Sequence, residues 1–568
     1  MSKKILIIGA VALGPKVACR LRRLDPNAEI TLIDKDELIS YGGCGIPYYI
    51  GGDIPELKGL YSTIAHQIRD TKFFLKNKRV NVLTQTKALS INRSEKKLLV
   101  QYLKNNKQEN LEYDKLVIAT GATPVRPPLP GADLPNVFVL SNLHHAKNIK
   151  KIISNGKVEN AVVIGAGAIG IEMAEALTDL WGIKTTLIEM ADQVLPTALG
   201  RNISKILEKE LKNNNVTVLT SEKVLQINGN IKTGVESIQT TSSNIPCNMV
   251  ILAVGVRPNS ELAANAGLAL GTNKGIFVNQ LMQTTDPDIY AGGDCVEITN
   301  LVNGQSTLMP LGSLANRQGR IIATNINGEC EHFKGTVGTF CIKVFNMGFA
   351  KTGLTVNQAK NSGFDPVYSI VTQSDRAHFY PDSKFMYMKL IADRKTQKIL
   401  GVEACGQQGD SVKARVDAVA PLLQFNATVS DITTIETGYA PPYASAMDII
   451  NNAGNCLDNT IKGSHKPIDV IDFLRKFKNR KIKVLDVRSN IQAAPFVKKY
   501  GDIWINIPQN EVLDKLDKIP ANEPLYILCG SGPRSYEIQV LLASKGITNT
   551  RNIQGGYGMV LAVQGPLI

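Results

Sequence analysis

Residues 160–177 read N-A-V-V-I-G-A-G-A-I-G-I-E-M-A-E-A-L, and K-T-T-L-I-E follows at 184–189. An apolar run of strand length meets a glycine turn, an amphipathic helix follows, and a second apolar run ends on a carboxylate. Residues 3–24, K-K-I-L-I-I-G-A-V-A-L-G-P-K-V-A-C-R-L-R-R-L, with E-I-T-L-I-D at 29–34, repeat that pattern. Each copy reads as the opening of a βαβ unit. Two copies put the chain in the α/β class with two Rossmann-like domains.

The turn residues have a physical purpose. Glycine lets the backbone approach a pyrophosphate, and the helix behind it offers free N–H groups and a positive dipole end. In the second copy these glycines are Gly165, Gly167 and Gly170, and the acid placed to bind ribose hydroxyls is Glu189. A carboxylate there repels a 2′-phosphate, which favours NADH over NADPH. In the first copy Gly9 and Gly14 are present, Val11 takes the middle glycine position, and the acid is Asp34.

The chain has 568 residues, enough for roughly three to five domains. Its nine cysteines (19, 44, 247, 295, 330, 341, 405, 456 and 529) are scattered. None forms C-x-x-C, so neither a metal site nor a disulfide framework is expected, and the pattern suits a reducing, cytoplasmic compartment. Lys3 and Lys4 before an apolar run imitate a signal peptide, but the run leads into a glycine turn and L-R-R-L, with no small-residue cleavage site. No run reaches the 18 or so apolar residues of a membrane span. The formal net charge is +14, yet the basic residues are dispersed and no nucleic-acid motif accompanies them. They read as a solvated surface, or as attraction for an anionic small molecule.

L-V-I-A-T-G-A-T-P at 116–124 and D-I-Y-A-G-G-D-C at 288–295 are further strands ending in small-residue turns. With the two βαβ units, in this order, they resemble the flavin-dependent pyridine nucleotide-disulfide oxidoreductases over residues 1–455. The resemblance implies FAD on Gly9, Gly14, Asp34, Ala119, Thr120, Gly121 and Asp294. It implies NADH on Gly165, Gly167, Gly170, Glu189 and Gly255. The implied domains are 1–150 and 271–330 for FAD, 151–270 for the pyridine nucleotide, and an α+β dimerisation domain at 331–456. That last domain makes a homodimer the expected form. Within it, G-T-F-C-I-K-V-F-N-M-G-F-A-K-T-G-L and F-M-Y-M-K-L-I-A-D alternate like antiparallel strands.

Cys44 lies in S-Y-G-G-C-G-I-P-Y, residues 40–48, and the next cysteine is Cys247. It therefore resembles the single-cysteine branch, whose thiolate cycles against a mixed disulfide, a persulfide or a sulfenic acid. V-A at 11–12, L-R-R-L-D at 21–25, C-G-I-P-Y at 44–48 and Y-A-P-P-Y at 439–443 are most similar to coenzyme A-disulfide and persulfide reductases. Arg20 and Arg23 are placed to meet a coenzyme A phosphate, or else form a solvated helix face. Tyr439 stands where the family has a tyrosine that reaches the partner's cysteine, and Ser40, Gly43, Tyr380 and Tyr443 fall around the implied substrate position. The chain departs from the family at Gly43, where Asn is usual, at Met447, where Lys is frequent, and in R-A-H-F-Y-P at 376–381. His378 in that last motif is a further candidate. Cys19 and Cys295 read as packing residues.

Residues 457–466, L-D-N-T-I-K-G-S-H-K, read as a polar linker. Beyond it, L-D-V-R at 485–488, C-G-S-G-P-R-S at 529–535 and G-G-Y at 555–557 resemble a rhodanese, or sulfurtransferase, domain over 467–568. Cys529 would carry sulfur in a loop of inward N–H groups, with Arg534 adding charge. The expected activity is FAD-dependent, NADH-driven reduction of coenzyme A disulfide, coenzyme A persulfide or polysulfide. An NADH oxidase or peroxidase, and a sulfur-carrier protein serving a partner, remain alternatives.

Overall fold

A computed structural model describes residues 2–479 and 482–567. The chain forms two compact units: residues up to Met190 with Asn215–Thr336, and Ala191–Asn214 with the residues from Val337 on.

In the first unit Lys4–Ile8 is the middle strand of a five-stranded parallel sheet. Glu29–Ile33 and Lys115–Ile118 flank it, with Asn81–Leu83 and Ile289–Ala291 at the edges. Ile5 to Ile8 are all buried, as a sheet covered on both faces requires. Asn160–Ile164 holds the same place in a second parallel sheet, between Lys184–Glu189 and Met249–Leu252, with Thr217–Thr220 and Val137–Val139 outermost. Both repeats noted in the sequence thus form the same local layout. Each is accompanied by a three-stranded antiparallel sheet, running from Thr86 to Glu112 and from Val224 to Pro246.

The glycine turns match as well. A Cβ on Gly14 would stand 1.9 Å from the Gly9 carbonyl oxygen, and one on Gly170 would stand 1.9 Å from that of Gly165. The helices Leu13–Leu24 and Ala168–Thr178 can begin against their turns only because those positions lack a side chain. The middle position differs. A Cβ on Gly167 would meet nothing within 4 Å, which explains how Val11 occupies the equivalent place without disturbing the turn.

Two expected boundaries move. The division at 150 cuts the helix Leu143–Ser154, and Val137–Val139, expected with the first sheet, pairs with Met249–Leu252 of the second. Ala191–Asn214, expected in the pyridine nucleotide domain, packs within the second unit: the Gly200 N–H donates to Glu403 Oε2 at 2.7 Å, and Asn202 Nδ2 donates to Asp469.

The second unit contains an antiparallel sheet in the order Phe340–Val344, Met347–Gly353, Ile399–Gly406, Phe385–Asp393 and Pro366–Ser374. The helices Gly409–Leu423 and Ile449–Ile461 pack on it. A parallel sheet follows in the order Pro467–Ile468, Thr550–Ile553, Leu525–Leu528, Lys483–Asp486 and Trp504–Asn506. The expected linker 457–466 is not a free connection. Its first half completes the helix Ile449–Ile461, and His465 is buried. Leu457 supplies the apolar anchor, while Asp458 and Asn459 on the less buried face conceal the helical period.

Candidate active sites

Each second-strand acid closes back on its turn. Asp34 accepts from the Ala10 N–H at 2.7 Å and the Asp36 N–H at 2.9 Å, and burial raises its pKa. Glu189 accepts from the Ala166 N–H at 2.8 Å. Ala10 and Ala166 each follow the first glycine of their turn, so the two copies agree down to this bond. The Ala119–Gly121 turn is joined to residues 255–259. Thr120 Oγ donates to the Asn259 carbonyl at 2.6 Å, the Asn259 N–H donates to Gly121 at 2.9 Å, and Ala122–Pro124 pairs with Val256–Pro258. Gly121 and Gly255, both at positive φ, face open space. Asp294 sits in the short turn Gly293–Cys295, its pKa raised by burial. Cys295 is fully buried and donates to the Ile118 and Gly292 carbonyls, and the partly buried Cys19 packs on the core of this sheet. Both are packing residues, as the sequence suggests.

Cys44 is exposed and lies in the single turn Gly43–Gly45, before the helix Ile46–Gly51. The loop is anchored from both sides. Ser40, buried at φ +50°, donates its N–H to the Ala10 carbonyl at 2.7 Å, and the Gly42 N–H donates to Leu60 at 2.9 Å. The Trp181 indole N–H donates to the Ile50 carbonyl at 2.8 Å, fixing the short helix beside Ala168–Thr178. A side chain at Gly43 would meet Tyr41 Cε2 at 4.0 Å and nothing nearer, so the fold itself does not demand glycine there.

Two residues around the thiol, Gly312 and Glu172, were not read from the sequence. A Cβ on Gly312 would stand 3.9 Å from the Cys44 sulfur, which puts the sulfur beside the N-terminus of the helix Gly312–Ile326. Glu172, on the helix Ala168–Thr178, is hydrogen-bonded to Tyr48, and burial together with Glu175 raises its pKa to about 7. The Cys44 pKa is itself raised, first by loss of water around the sulfur and then by Glu172 and Asp294, against the lowering effect of the Gly312 amide. The polypeptide groups alone therefore favour the neutral thiol. Arg20 is half-buried with its Nε unpartnered, and Arg23 is exposed on the same helix. Arg22, between them, is engaged by the Asp25, Pro26, Ala28 and Arg79 carbonyls.

In the second unit, the two aromatic turns singled out in the sequence meet. The Ala377 N–H donates to the Pro441 carbonyl at 3.2 Å. Arg415 bridges them, donating to the Asp375 carbonyl at 3.1 Å and the Tyr443 carbonyl at 2.9 Å. Phe379, Tyr380, Phe385, Tyr439, Tyr443 and Met447 form an exposed apolar group on these turns and the strand beside them. His378, edge-on to Phe379, is exposed there too.

Cys529 ends the strand Leu525–Leu528 and is fully buried. Among the described residues its sulfur accepts from one backbone N–H, that of Gly532 at 3.0 Å, and lies 3.2 Å from Ser535 Oγ. The expected ring of several N–H groups on the sulfur is thus one amide and one hydroxyl. G-G-Y closes the loop: the Tyr557 N–H donates to the Cys529 carbonyl and the Gly558 N–H to that of Gly530, each at 2.8 Å. Arg534 is exposed on the following helix. The Asp486–Arg488 pair of L-D-V-R is buried, with the Arg488 guanidinium over the Tyr557 and Phe496 rings.

Among the described residues no helix is long and apolar enough to cross a membrane. The chain is 36% identical to an NAD-dependent persulfide reductase from A. fulgidus of known structure, with a TM-score of 0.93 over 99% of this chain and 100% of that one. It is 32% identical to the NAD(P)H sulfur oxidoreductase (CoA-dependent) of Pyrococcus abyssi, over 79% of this chain and 96% of that protein. It is also 34% identical to an NADH oxidase of Methanocaldococcus jannaschii, over 79% of this chain and 97% of that protein. Residues 3–319 match the pyridine nucleotide-disulphide oxidoreductases and residues 339–449 match the dimerisation domain of the same family. With its two nucleotide turns, and with FAD and NAD(P)H as cofactors, this chain belongs to the pyridine nucleotide-disulphide oxidoreductase family.

Proposed function

We propose that the chain uses NADH to reduce coenzyme A disulfide, coenzyme A persulfide or polysulfide through Cys44. The observation that carries this reading is an exposed thiol beside the first residue of a long helix, where a Cβ on Gly312 would stand 3.9 Å from the sulfur. The next cysteine in sequence, Cys247, is buried, and burial pushes its pKa up to about 12. Cys247 is thus unsuited to an internal dithiol cycle with Cys44, which supports a sulfur partner that comes from the substrate. Relatives named for coenzyme A-dependent sulfur oxidoreduction and persulfide reduction support the same class.

The residues fit the cofactors. Gly9, Gly14, Asp34, Ala119, Thr120, Gly121 and Asp294 would hold FAD. Gly165, Gly167, Gly170, Glu189 and Gly255 would hold NADH. The open space in front of Gly167, Gly121 and Gly255 admits a ligand close to the backbone, and the Glu189 carboxylate opposes a 2′-phosphate. When bound, the cofactors supply the hydride and a two-electron carrier. The net change balances: NADH and one proton convert a persulfide RSSH into RSH and H2S, or a disulfide into two thiols.

This chain's own residues manage charge. The Gly312 N–H and the helix end favour an anion on Cys44, while Glu172 and Asp294 oppose it. Tyr439 would protonate the leaving thiolate across a homodimer interface, formed by the exposed aromatic turns at 376–381 and 439–443. Arg20 and Arg23 would meet coenzyme A phosphates. The C-terminal parallel sheet, with Cys529-x4-Arg534-Ser535 after a strand, supports a rhodanese-type domain that relays sulfane sulfur.

Stopped-flow turnover tests the reading. NADH oxidation should be fast with coenzyme A persulfide or polysulfide and be lost in Cys44→Ser. Fast turnover on oxygen or peroxide, with none on the sulfur substrates, would make the chain an NADH oxidase instead.

A further inference from the structure

A buried chain of polar groups runs from Cys529 to the helix Ile449–Ile461. Cys529 Sγ lies 3.2 Å from Ser535 Oγ, which lies 2.8 Å from Asn552 Oδ1. Asn552 Nδ2 lies 3.0 Å from His465 Nε2, and His465 Nδ1 lies 2.9 Å from Thr460 Oγ. Thr460 Oγ lies 2.8 Å from the Cys456 carbonyl. Ser535, Asn552 and His465 are 0%, 3% and 4% exposed, so each proton in the chain must be accounted for internally.

The direction of the chain follows from counting donors. The Cys456 carbonyl can only accept, so Thr460 gives it its single hydroxyl proton and accepts from His465 Nδ1–H at 2.9 Å, the Cys456 thiol standing farther from that nitrogen at 3.7 Å. Burial pushes the His465 pKa down to about 4, so at neutral pH Nε2 is bare and accepts from the Asn552 amide. The other amide proton of Asn552 goes to the Gly532 carbonyl at 3.3 Å. Asn552 is thereby held with its oxygen toward Ser535. Gly532 O also lies 2.9 Å from Ser535 Oγ, but it already has a donor, whereas Asn552 Oδ1 has no other. The Ser535 proton therefore points to Asn552, and its lone pairs face Cys529.

We propose that His465 and Asn552 are positioning residues for Cys529. They hold the Ser535 hydroxyl so that the chain is complete when Cys529 is a thiol or carries a sulfane sulfur, and broken when it is a bare thiolate. This rests on reading Cys529 as a sulfur-carrying residue. A thiolate would draw the Ser535 proton to itself and leave Asn552 Oδ1 buried without a donor. In a persulfide the charge sits on the outer sulfur, and the inner one is served by the Gly532 N–H at 3.0 Å. The arrangement thus keeps Cys529 loaded once sulfur has arrived.

The test is the rate at which iodoacetamide alkylates Cys529 in the full-length protein at neutral pH, followed by mass spectrometry of the Cys529 peptide. Asn552→Leu removes the competing acceptor and should speed alkylation roughly tenfold. His465→Leu should speed it by a smaller factor, and His465→Gln, whose amide oxygen can take the Asn552 proton, should return it toward the wild-type rate. In a Ser535→Ala background Asn552→Leu should change nothing, because the contested proton is gone. An unchanged or slower rate in Asn552→Leu, or the same rise without the serine hydroxyl, overturns the proposal. Nitrogen-15 NMR of the wild-type histidines is independent of any variant's folding. A bare Nε2 on His465 at neutral pH is expected, and a protonated Nε2 would reverse the chain and overturn the proposal. Absence of sulfur transfer by the wild-type protein would count against the sulfur-carrying reading while leaving these rates and the tautomer as they are.

Discussion

The Gly312 amide favours the thiolate of Cys44, and a Cβ added at Gly312 would stand 3.9 Å from the sulfur. Gly312 opens its helix, and Leu311 before it is extended at φ −125°, ψ 127°. A following proline accepts that conformation, and the first helical position is where proline is best tolerated. Gly312→Pro should therefore keep the helix and delete the donor. Alkylation of Cys44 at neutral pH is expected to slow by about tenfold in Gly312→Pro and to stay near wild type in Gly312→Ala. A folded Gly312→Pro protein, checked by circular dichroism, that alkylates at the wild-type rate would show that the amide does not tune the thiol.

Glu172 opposes the effect of that amide on Cys44. Its folded pKa of about 7 lies above the unfolded value of 4.5. A carboxyl raised in this way holds its proton in the folded state between those two values, so stability falls as pH rises through them. Glu172→Gln should then gain about 3 kcal/mol of apparent stability well above neutral pH. The gain should vanish below the unfolded pKa. Urea unfolding at a series of pH values checks both ends. The same variant should alkylate Cys44 faster on the alkaline side, where wild-type Glu172 is charged, and equally on the acid side.

The parallel sheets were legible because Ile5–Ile8 and Val162–Ile164 carry their own apolar runs, and Gly9 and Gly165 are fixed by local geometry. Val137–Val139 was not, because its place depends on Met249–Leu252, more than a hundred residues on. Cys44 stood out by its glycine-rich surroundings. Its neighbours Gly312 and Glu172 did not: one is the plain first residue of a helix, and the other reads as the polar face of a nucleotide-binding helix. His465 was hidden most completely. Its polar neighbours suggest solvent, and the partner that satisfies it, Asn552, comes 87 residues later. Burial of a polar side chain is visible in a sequence only when its partner is near.

Arg415 gives a stability prediction in the second unit. Its guanidinium pairs with Asp448 at 3.0 Å, their side chains 11% and 3% exposed, and it also holds the Asp375 and Tyr443 carbonyls. Arg415→Met would leave the Asp448 charge buried and unpaired, a loss of about 3–5 kcal/mol. Hydrogen exchange should rise across residues 439–447 as the two turns separate. Arg415→Lys should recover little of this, because an ammonium cannot reach the three acceptors that the planar fork spans. Wild-type exchange in Arg415→Met would mean the turns hold together without it.

Cys529 and Cys44 can be separated by their substrates. Serine at 529 keeps the volume and the Gly532 bond while removing the sulfur nucleophile. Cys529→Ser should oxidise NADH at the wild-type rate with pre-formed coenzyme A persulfide, since Cys44 and the nucleotide turns are untouched. It should lose sulfur transfer from thiosulfate, which needs a thiolate to attack the outer sulfur and release sulfite. Cys44→Ser should behave in the opposite way, transferring sulfur from thiosulfate while failing to oxidise NADH. The reciprocal pair is what a relay of two thiols requires, one loading sulfur and the other reducing it. If Cys529→Ser retains both activities, Cys529 is not the sulfur carrier, and the buried chain behind it has only a structural role.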